Sequence, residues 1–166
     1  MDKTIGFIGC GNMARAMISG IVKSNLVPSE NIIASNPSDK NLSKVKEEHN
    51  IEVTNDNTEV AKFSDIVILA VKPYKYFEVI EEIKPYLKKN VVIVTIAAGI
   101  TLDHMSNLLG GTAKVIRTMP NTPALVGEGM SALCSNINIT TDELKDVLKI
   151  FEKIGRAHVW TPVTAS

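Results

Sequence analysis

The feature that most limits what this chain can fold into is a glycine turn set between a strand and a helix. Thr4–Ile8 reads as a strand, and Gly9-Cys10-Gly11-Asn12-Met13-Ala14 follows it at once. Asn12–Ser24 then has helical spacing, with Met13, Met17, Ile21 and Val22 on one face. A G-x-G-x-x-A in that setting makes three physical demands. Gly9 permits the tight turn, Gly11 lets the backbone approach a pyrophosphate, and small Ala14 lets the helix pack closely on the strand. The helix N-terminus offers amides and the positive end of its dipole to an anion. The competing reading is a glycine turn with no ligand, and the strand-turn-helix context weighs against it.

The same alternation continues along the chain. Strands are expected at Asn31–Ser35, Ile51–Thr54, Asp65–Val71, Val91–Ile96, Lys114–Thr118 and Gly129–Cys134. Helices are expected from Pro37 to near His49, from Asn57 or Thr58, over Tyr76–Leu87, after a Thr101 cap, and after Thr140. The fifth carries Leu102, Met105, Leu108 and Leu109 inward; the sixth, opened by the capping box Thr140-Thr141-Asp142-Glu143, carries Leu144, Val147, Leu148 and Phe151. Asp65–Val71 is almost wholly aliphatic, as a parallel strand buried on both faces should be. Strands separated by helices imply an α/β fold, a doubly wound and mainly parallel sheet flanked by helices.

Composition narrows the class further. The 166 residues suit one domain, and 45% hydrophobic with 22% charged residues excludes disorder and fibres. Eighteen basic residues balance eighteen acidic ones, so no broad basic surface for nucleic acid is supported. The longest apolar stretch, Val91–Ile100, is broken by Thr95 and Gly99 and is about half of the roughly 20 residues a membrane helix needs. No signal-peptide pattern opens the chain, and two cysteines make no disulfide framework. A soluble cytoplasmic protein is expected.

Ligands of an open parallel sheet sit beyond the carboxyl ends of its strands. There the chain places Ala70-Val71-Lys72-Pro73, Ala97-Ala98-Gly99 and Met119-Pro120-Asn121-Thr122-Pro123. Ala97 and Ala98 leave room for a flat ring, and the two prolines restrict the backbone around Asn121. Taken singly, Lys72 reads as a solvated lysine and the proline segment as a turn; their joint placement on one edge favours a site. At the end of the second strand, Ser35-Asn36-Pro37-Ser38 has no carboxylate before Asp39. An acidic residue there would bind a ribose 2′-hydroxyl and repel a 2′-phosphate. NADPH is therefore the favoured cofactor, with NADH left open, and a plain turn with an N-cap is the competing reading. Cys10 is read as structural, although a helix N-terminus would lower its pKa and make it sensitive to oxidation. His49, His104 and His158 form no cluster, no zinc spacing occurs, and no catalytic residue is assigned. That suits hydride transfer, where the cofactor carries the chemistry.

Four segments resemble the pyrroline-5-carboxylate reductase family. They are Gly6–Ala14, Asp65–Pro73, Ala97–Thr101 and Arg117–Pro123, the last followed by Gly127-Glu128-Gly129-Met130. The resemblance runs from about residue 4 to 153. It implies reduction of 1-pyrroline-5-carboxylate to L-proline by NADPH or NADH. It also implies site residues: Gly9, Cys10, Gly11, Asn12 and Met13 for the pyrophosphate, and Ser35 and Asn36 for the adenosine ribose or its phosphate. Asn57, Ala70, Val71, Lys72 and Pro73 would meet the ribose and phosphate portion, Ala97 and Ala98 the nicotinamide, and Asn121 the substrate pocket. No metal, nucleic-acid or membrane partner is implied.

Members of that family continue into a helical domain that dimerises and contacts the substrate, which gives a homo-oligomer. In this chain, residues 1–153 match the NAD(P)-binding domain. Residues 154–166 read instead as a non-native tail, Gly155-Arg156-Ala157-His158-Val159-Trp160 resembling a translated sequencing adapter with its stop codon rendered as Trp160, and a native Ile154-Gly155 is left open. The chain is then the cofactor-binding portion of the enzyme, inactive by itself. The alternatives are a stand-alone NADP-binding or redox-sensing module and a β-hydroxyacid-type dehydrogenase.

Overall fold

Short aliphatic runs become strands here, and the amphipathic segments between them become helices. The computed structural model describes residues 1–119 and 129–160. Within them the order is β1 (Ile5–Ile8), α1 (Asn12–Lys23), β2 (Ile32–Ser35), α2 (Asp39–His49), β3 (Glu52–Thr54), α3 (Asn57–Phe63) and β4 (Ile66–Leu69). Then come α4 (Tyr76–Ile83), β5 (Val92–Thr95), α5 (Leu102–Leu109), β6 (Lys114–Met119), β7 (Gly129–Ser135), α6 (Thr141–Phe151) and β8 (Gly155–Val159). The strands form one sheet in the order β3-β2-β1-β4-β5-β6-β7-β8. All neighbours are parallel except β6 and β7. The first six follow the 3-2-1-4-5-6 order of a doubly wound dinucleotide-binding sheet, so the expected fold class is the one observed.

Helices cover both faces, which is why β1, β2, β4 and β5 are buried along their whole lengths. On one face Phe7, Ile32, Ile68, Val94 and Ile116 pack with α1, α2 and α6. On the other, Ile8, Ile33, Val67, Ile93 and Val115 pack with α3, α4 and α5. Each fully buried aliphatic side chain of this kind contributes about 1.5–3 kcal/mol.

The helix ends follow local chemistry. Thr101 accepts from the His104 N–H, and Thr140 and Glu143 form the reciprocal capping box. α4 stops at Ile83 rather than Leu87 because Pro85 has no N–H to continue the ladder, and 84–86 tightens into a 3-10 turn. The buried residues of α6 are Val147, Ile150 and Phe151, while Leu144 and Leu148 are only partly covered. Ile150 is absent from the expected inward set.

The segment expected to lie outside the domain is drawn into the sheet. Gly155–Val159 pairs parallel with β7, and the Trp160 N–H donates to the Leu133 carbonyl at 2.7 Å. These are backbone bonds, which make few demands on side chains, and Arg156, His158 and Val159 remain exposed. Two positions are more demanding. Ile154 is buried in the core, and Gly155, at φ +141°, lies so close to Gly129 that any β-carbon would overlap its backbone.

Candidate functional site

β1 and β4 are neighbours, and the chain leaves them toward opposite edges of the sheet. Beyond their carboxyl ends a crevice opens, as it must where strand order reverses. It is a cleft of about 550 Å³ lined by Gly9–Ala14, Asn36, Pro37, Ala70–Pro73, Lys75, Ile96 and Ala97.

Its floor is the glycine turn. Gly9 has φ +98°, and a β-carbon on it would stand 2.6 Å from the Ala70 carbonyl oxygen. Its N–H donates to the Ser35 carbonyl at 2.9 Å, which fixes the turn to β2. Gly11 is different: it is the N-cap of α1 with φ −85°, and nothing lies within 4 Å of where its β-carbon would be. No side chain caps α1. The opening amides of a 12-residue helix therefore meet a space that a side chain at Gly11 would fill. Lys72 and Lys75 are the charged residues among those lining the cleft, and no carboxylate is. A dinucleotide's phosphates fit such a cradle by shape, by donor supply and by sign of charge.

Asn36 is the hinge between this turn and the β2 end. Its Oδ1 accepts from the Cys10 N–H at 3.2 Å, and its Nδ2 donates to the Ser38 carbonyl at 3.2 Å. Asn55 supports it, donating from Nδ2 to the Asn36 carbonyl at 3.0 Å and to Asp39 Oδ1 at 2.9 Å. The nearest carboxylate in sequence is thus held by an amide and does not line the cleft. Ser35 is fully buried, and its hydroxyl donates to Asn57 Oδ1 at 2.6 Å. That pair braces the cleft from beneath and does not line it.

Of the residues singled out from sequence, the structure brings Gly9, Cys10, Gly11, Asn12, Met13, Asn36, Ala70, Val71, Lys72, Pro73 and Ala97 to the cleft. Ser35 and Asn57 lie behind it, and Ala98 is exposed beyond its rim. Asn121 lies outside the described residues. Pro37, Lys75 and Ile96 are lining residues that sequence reasoning missed; Lys75, three residues after Lys72 in a proline-started turn, had a signal in its spacing. Cys10 is the structural residue the sequence favours and not an acidified thiol. The side chain is 1% exposed, and burial pushes its thiol up to about 11 against the opposing pull of Arg15. The low dielectric around the sulfur outweighs the helix end. Among the described residues there is no cluster of three potential metal ligands, and no helix is long and apolar enough to cross a membrane.

A doubly wound sheet with a glycine cradle and a lysine-lined crevice at its switch point defines a nucleotide-binding domain of the Rossmann class. The chain belongs to a family described as NADP oxidoreductase, coenzyme F420-dependent, whose sequence model matches residues 4–99. It is 42% identical over 159 residues to pyrroline-5-carboxylate reductase of Escherichia coli strain K12, covering 96% of this chain and 59% of that one. Among solved structures it is similar to the pyrroline-5-carboxylate reductase of Coxiella burnetii, with TM-score 0.94, 31% identity, and 98% of this chain against 60% of that one. It is also similar to the pyrroline carboxylate reductase of Plasmodium falciparum solved with NADP bound, with TM-score 0.85, 34% identity, and 96% against 58% covered. The chain therefore spans about three fifths of the length of these relatives.

Proposed function

We propose that this chain is the dinucleotide-binding portion of a pyrroline-5-carboxylate reductase, which reduces 1-pyrroline-5-carboxylate to L-proline with NADPH. The observation that carries this is the Gly11 cradle at the uncapped start of α1, in a crevice lined by lysines and no carboxylate. The reductases that resemble it over 96% of its length supply the substrate.

When bound, the reduced nicotinamide supplies a hydride to the imine carbon. The chain's own residues do the rest of the work assigned to it. The α1 amides and Lys72 hold the phosphates, and Asn36 positions the adenosine end. Val71, Ile96 and Ala97 form an apolar wall that keeps water from the nicotinamide. The choice of NADPH over NADH is supported by the absence of a carboxylate among the residues lining the cleft, Asp39 lying outside it against Asn55.

Residues 1–153 form the native dinucleotide-binding unit, extended to Ile154 and Gly155 by the specificity of their packing. The stretch of the relatives beyond the match would provide the substrate contacts and the homo-oligomer interface. Two unpaired thiols and a reductive NADPH chemistry suit the cytoplasm. The test is paired: equilibrium titration with NADPH and NADH, and proline formation from the imine. Tighter binding of NADPH with little proline formed is expected; preference for NADH, or turnover of hydroxyacids instead, would contradict the reading.

A further inference from the structure

The sheet face that packs against α3, α4 and α5 includes Ile93 and Val115. Side chains alternate along a strand, so Thr95, Arg117 and Met119 lie on that face as well. Ala132 and Cys134 join them, because Leu133 between them packs on the opposite side. Over β6 and β7 this face lines a groove of about 530 Å³, which the first turn of α5 borders. The residues lining the groove and those lining the cofactor cleft are separate sets.

Arg117 lies on the groove's floor, in register with Thr95 on β5 and Cys134 on β7. It is half-buried, and its Nε is buried with no hydrogen-bond partner. Among the described residues its guanidinium joins no hydrogen bond or ion pair. Thr95 beside it is fully buried, and its hydroxyl also lacks a partner. A charged donor drawn out of water without an acceptor is costly, and a guanidinium fork matches a carboxylate. Asp103, in the first turn of α5, lines the same groove, is exposed and joins no ion pair among the described residues. Leu102, Met119 and Ala132 add apolar surface. A dianion such as phosphate would meet Asp103, and a neutral apolar molecule would leave Arg117 unpaired. One cation, one carboxylate and apolar walls together match a zwitterion with an apolar body.

We propose that this groove binds an α-amino acid with an apolar side chain, its carboxylate on Arg117 and its ammonium on Asp103. L-proline is one member of that class, but the site stands apart from the dinucleotide reading and does not rest on it.

Ligand-observed NMR titration of the full 166-residue chain with L-leucine and L-proline tests the site. Saturable binding of at least one is expected. Isocaproate and isoamylamine, which are L-leucine without its ammonium and without its carboxylate, should each bind at least about tenfold more weakly than L-leucine if it binds, as loss of a charge-assisted contact requires. Arg117→Met should weaken amino-acid binding about tenfold, and Asp103→Asn, at an exposed position, about threefold. The analogue comparison needs no variant, and Asp103→Asn leaves the core untouched should Arg117→Met fail to fold. No saturable binding of either amino acid, isocaproate binding as well as L-leucine, or equal binding by a folded Arg117→Met would overturn the proposal.

Discussion

Gly9 and Ala70 approach so closely that a β-carbon on Gly9 would lie 2.6 Å from the Ala70 carbonyl oxygen. The contact joins the end of β1 to the end of β4 and forms the base of the cleft. Since Gly9 also sits at φ +98°, Gly9→Ala meets a steric and a conformational penalty together. We expect a loss of about 2 kcal/mol or more, seen as a clear drop in the thermal midpoint. Gly11→Ala meets no atom within 4 Å and has an ordinary φ of −85°, so it should cost at most about 1 kcal/mol as a poorer N-cap. Thermal unfolding of the two variants side by side checks the contrast; equal losses would contradict it.

Cys10 stands in the glycine turn but behaves as a core residue. With its thiol pushed up to about 11 and its side chain buried, it should resist alkylation at pH 8 in the folded chain. Mass spectrometry after a timed iodoacetamide pulse reads this directly. Cys10 should be labelled only on unfolding; fast labelling in the native state would contradict the burial.

Two carboxylates on the face remote from the cleft tie the fold to pH. Burial works to raise Asp65, but the Thr4 N–H and Lys88 bond it and leave its pKa below the usual value. Glu143 has the same balance, with Lys114 at 2.8 Å and Thr140 overcoming burial. A depressed folded pKa gives stability that is present above the unfolded value and lost as pH falls through the folded one. Asp65→Asn and Glu143→Gln should therefore destabilise the chain at pH 7. Their deficits should shrink below about pH 4, where the parent protonates as well. Denaturant unfolding from pH 7 to pH 2 measures the gap, and a pH-independent deficit would show that lost packing matters instead.

The Thr140 cap offers a smaller and cleaner test. Its hydroxyl oxygen accepts from the Glu143 N–H at 3.2 Å and Glu143 Oε1 accepts from the Thr140 N–H at 2.8 Å. Thr140→Ala should cost about 1 kcal/mol, or roughly 2–4 °C in the midpoint for a domain of this size. No change would mean that α6 is held by Val147, Ile150 and Phe151 alone.

What the sequence makes legible is local. The glycine turn, the strand runs and the Thr101 and Thr140 caps each depend on residues within a few positions, and the sheet and its flanking helices follow from their alternation. What it hides is made by juxtaposition. Ser35 reads as a cleft residue because it ends β2, yet that strand is buried on both faces and the hydroxyl turns to Asn57, 22 residues on. The Asn55 bond that occupies Asp39 spans 16 residues, and no spacing rule anticipates it. Tyr76 looks like one more helix residue until its buried hydroxyl is seen donating to the Leu69 carbonyl at the end of β4. Cys10 shows a contest between two effects that only burial decides. β8 forms through backbone pairing, which residue identity scarcely announces. Asn121 and its flanking prolines fall outside the described residues.

The central claim is that the uncapped start of α1, with Gly11 open before it, binds the phosphates of NADPH. Fluorescence titration of the chain and of Gly11→Ala with NADPH tests it most directly. Saturable binding to the parent, weakened at least tenfold in a variant that remains folded, is the predicted result, since a methyl group would occupy the phosphate's place. Absence of saturable binding to the parent, or equal binding by both, would contradict the account.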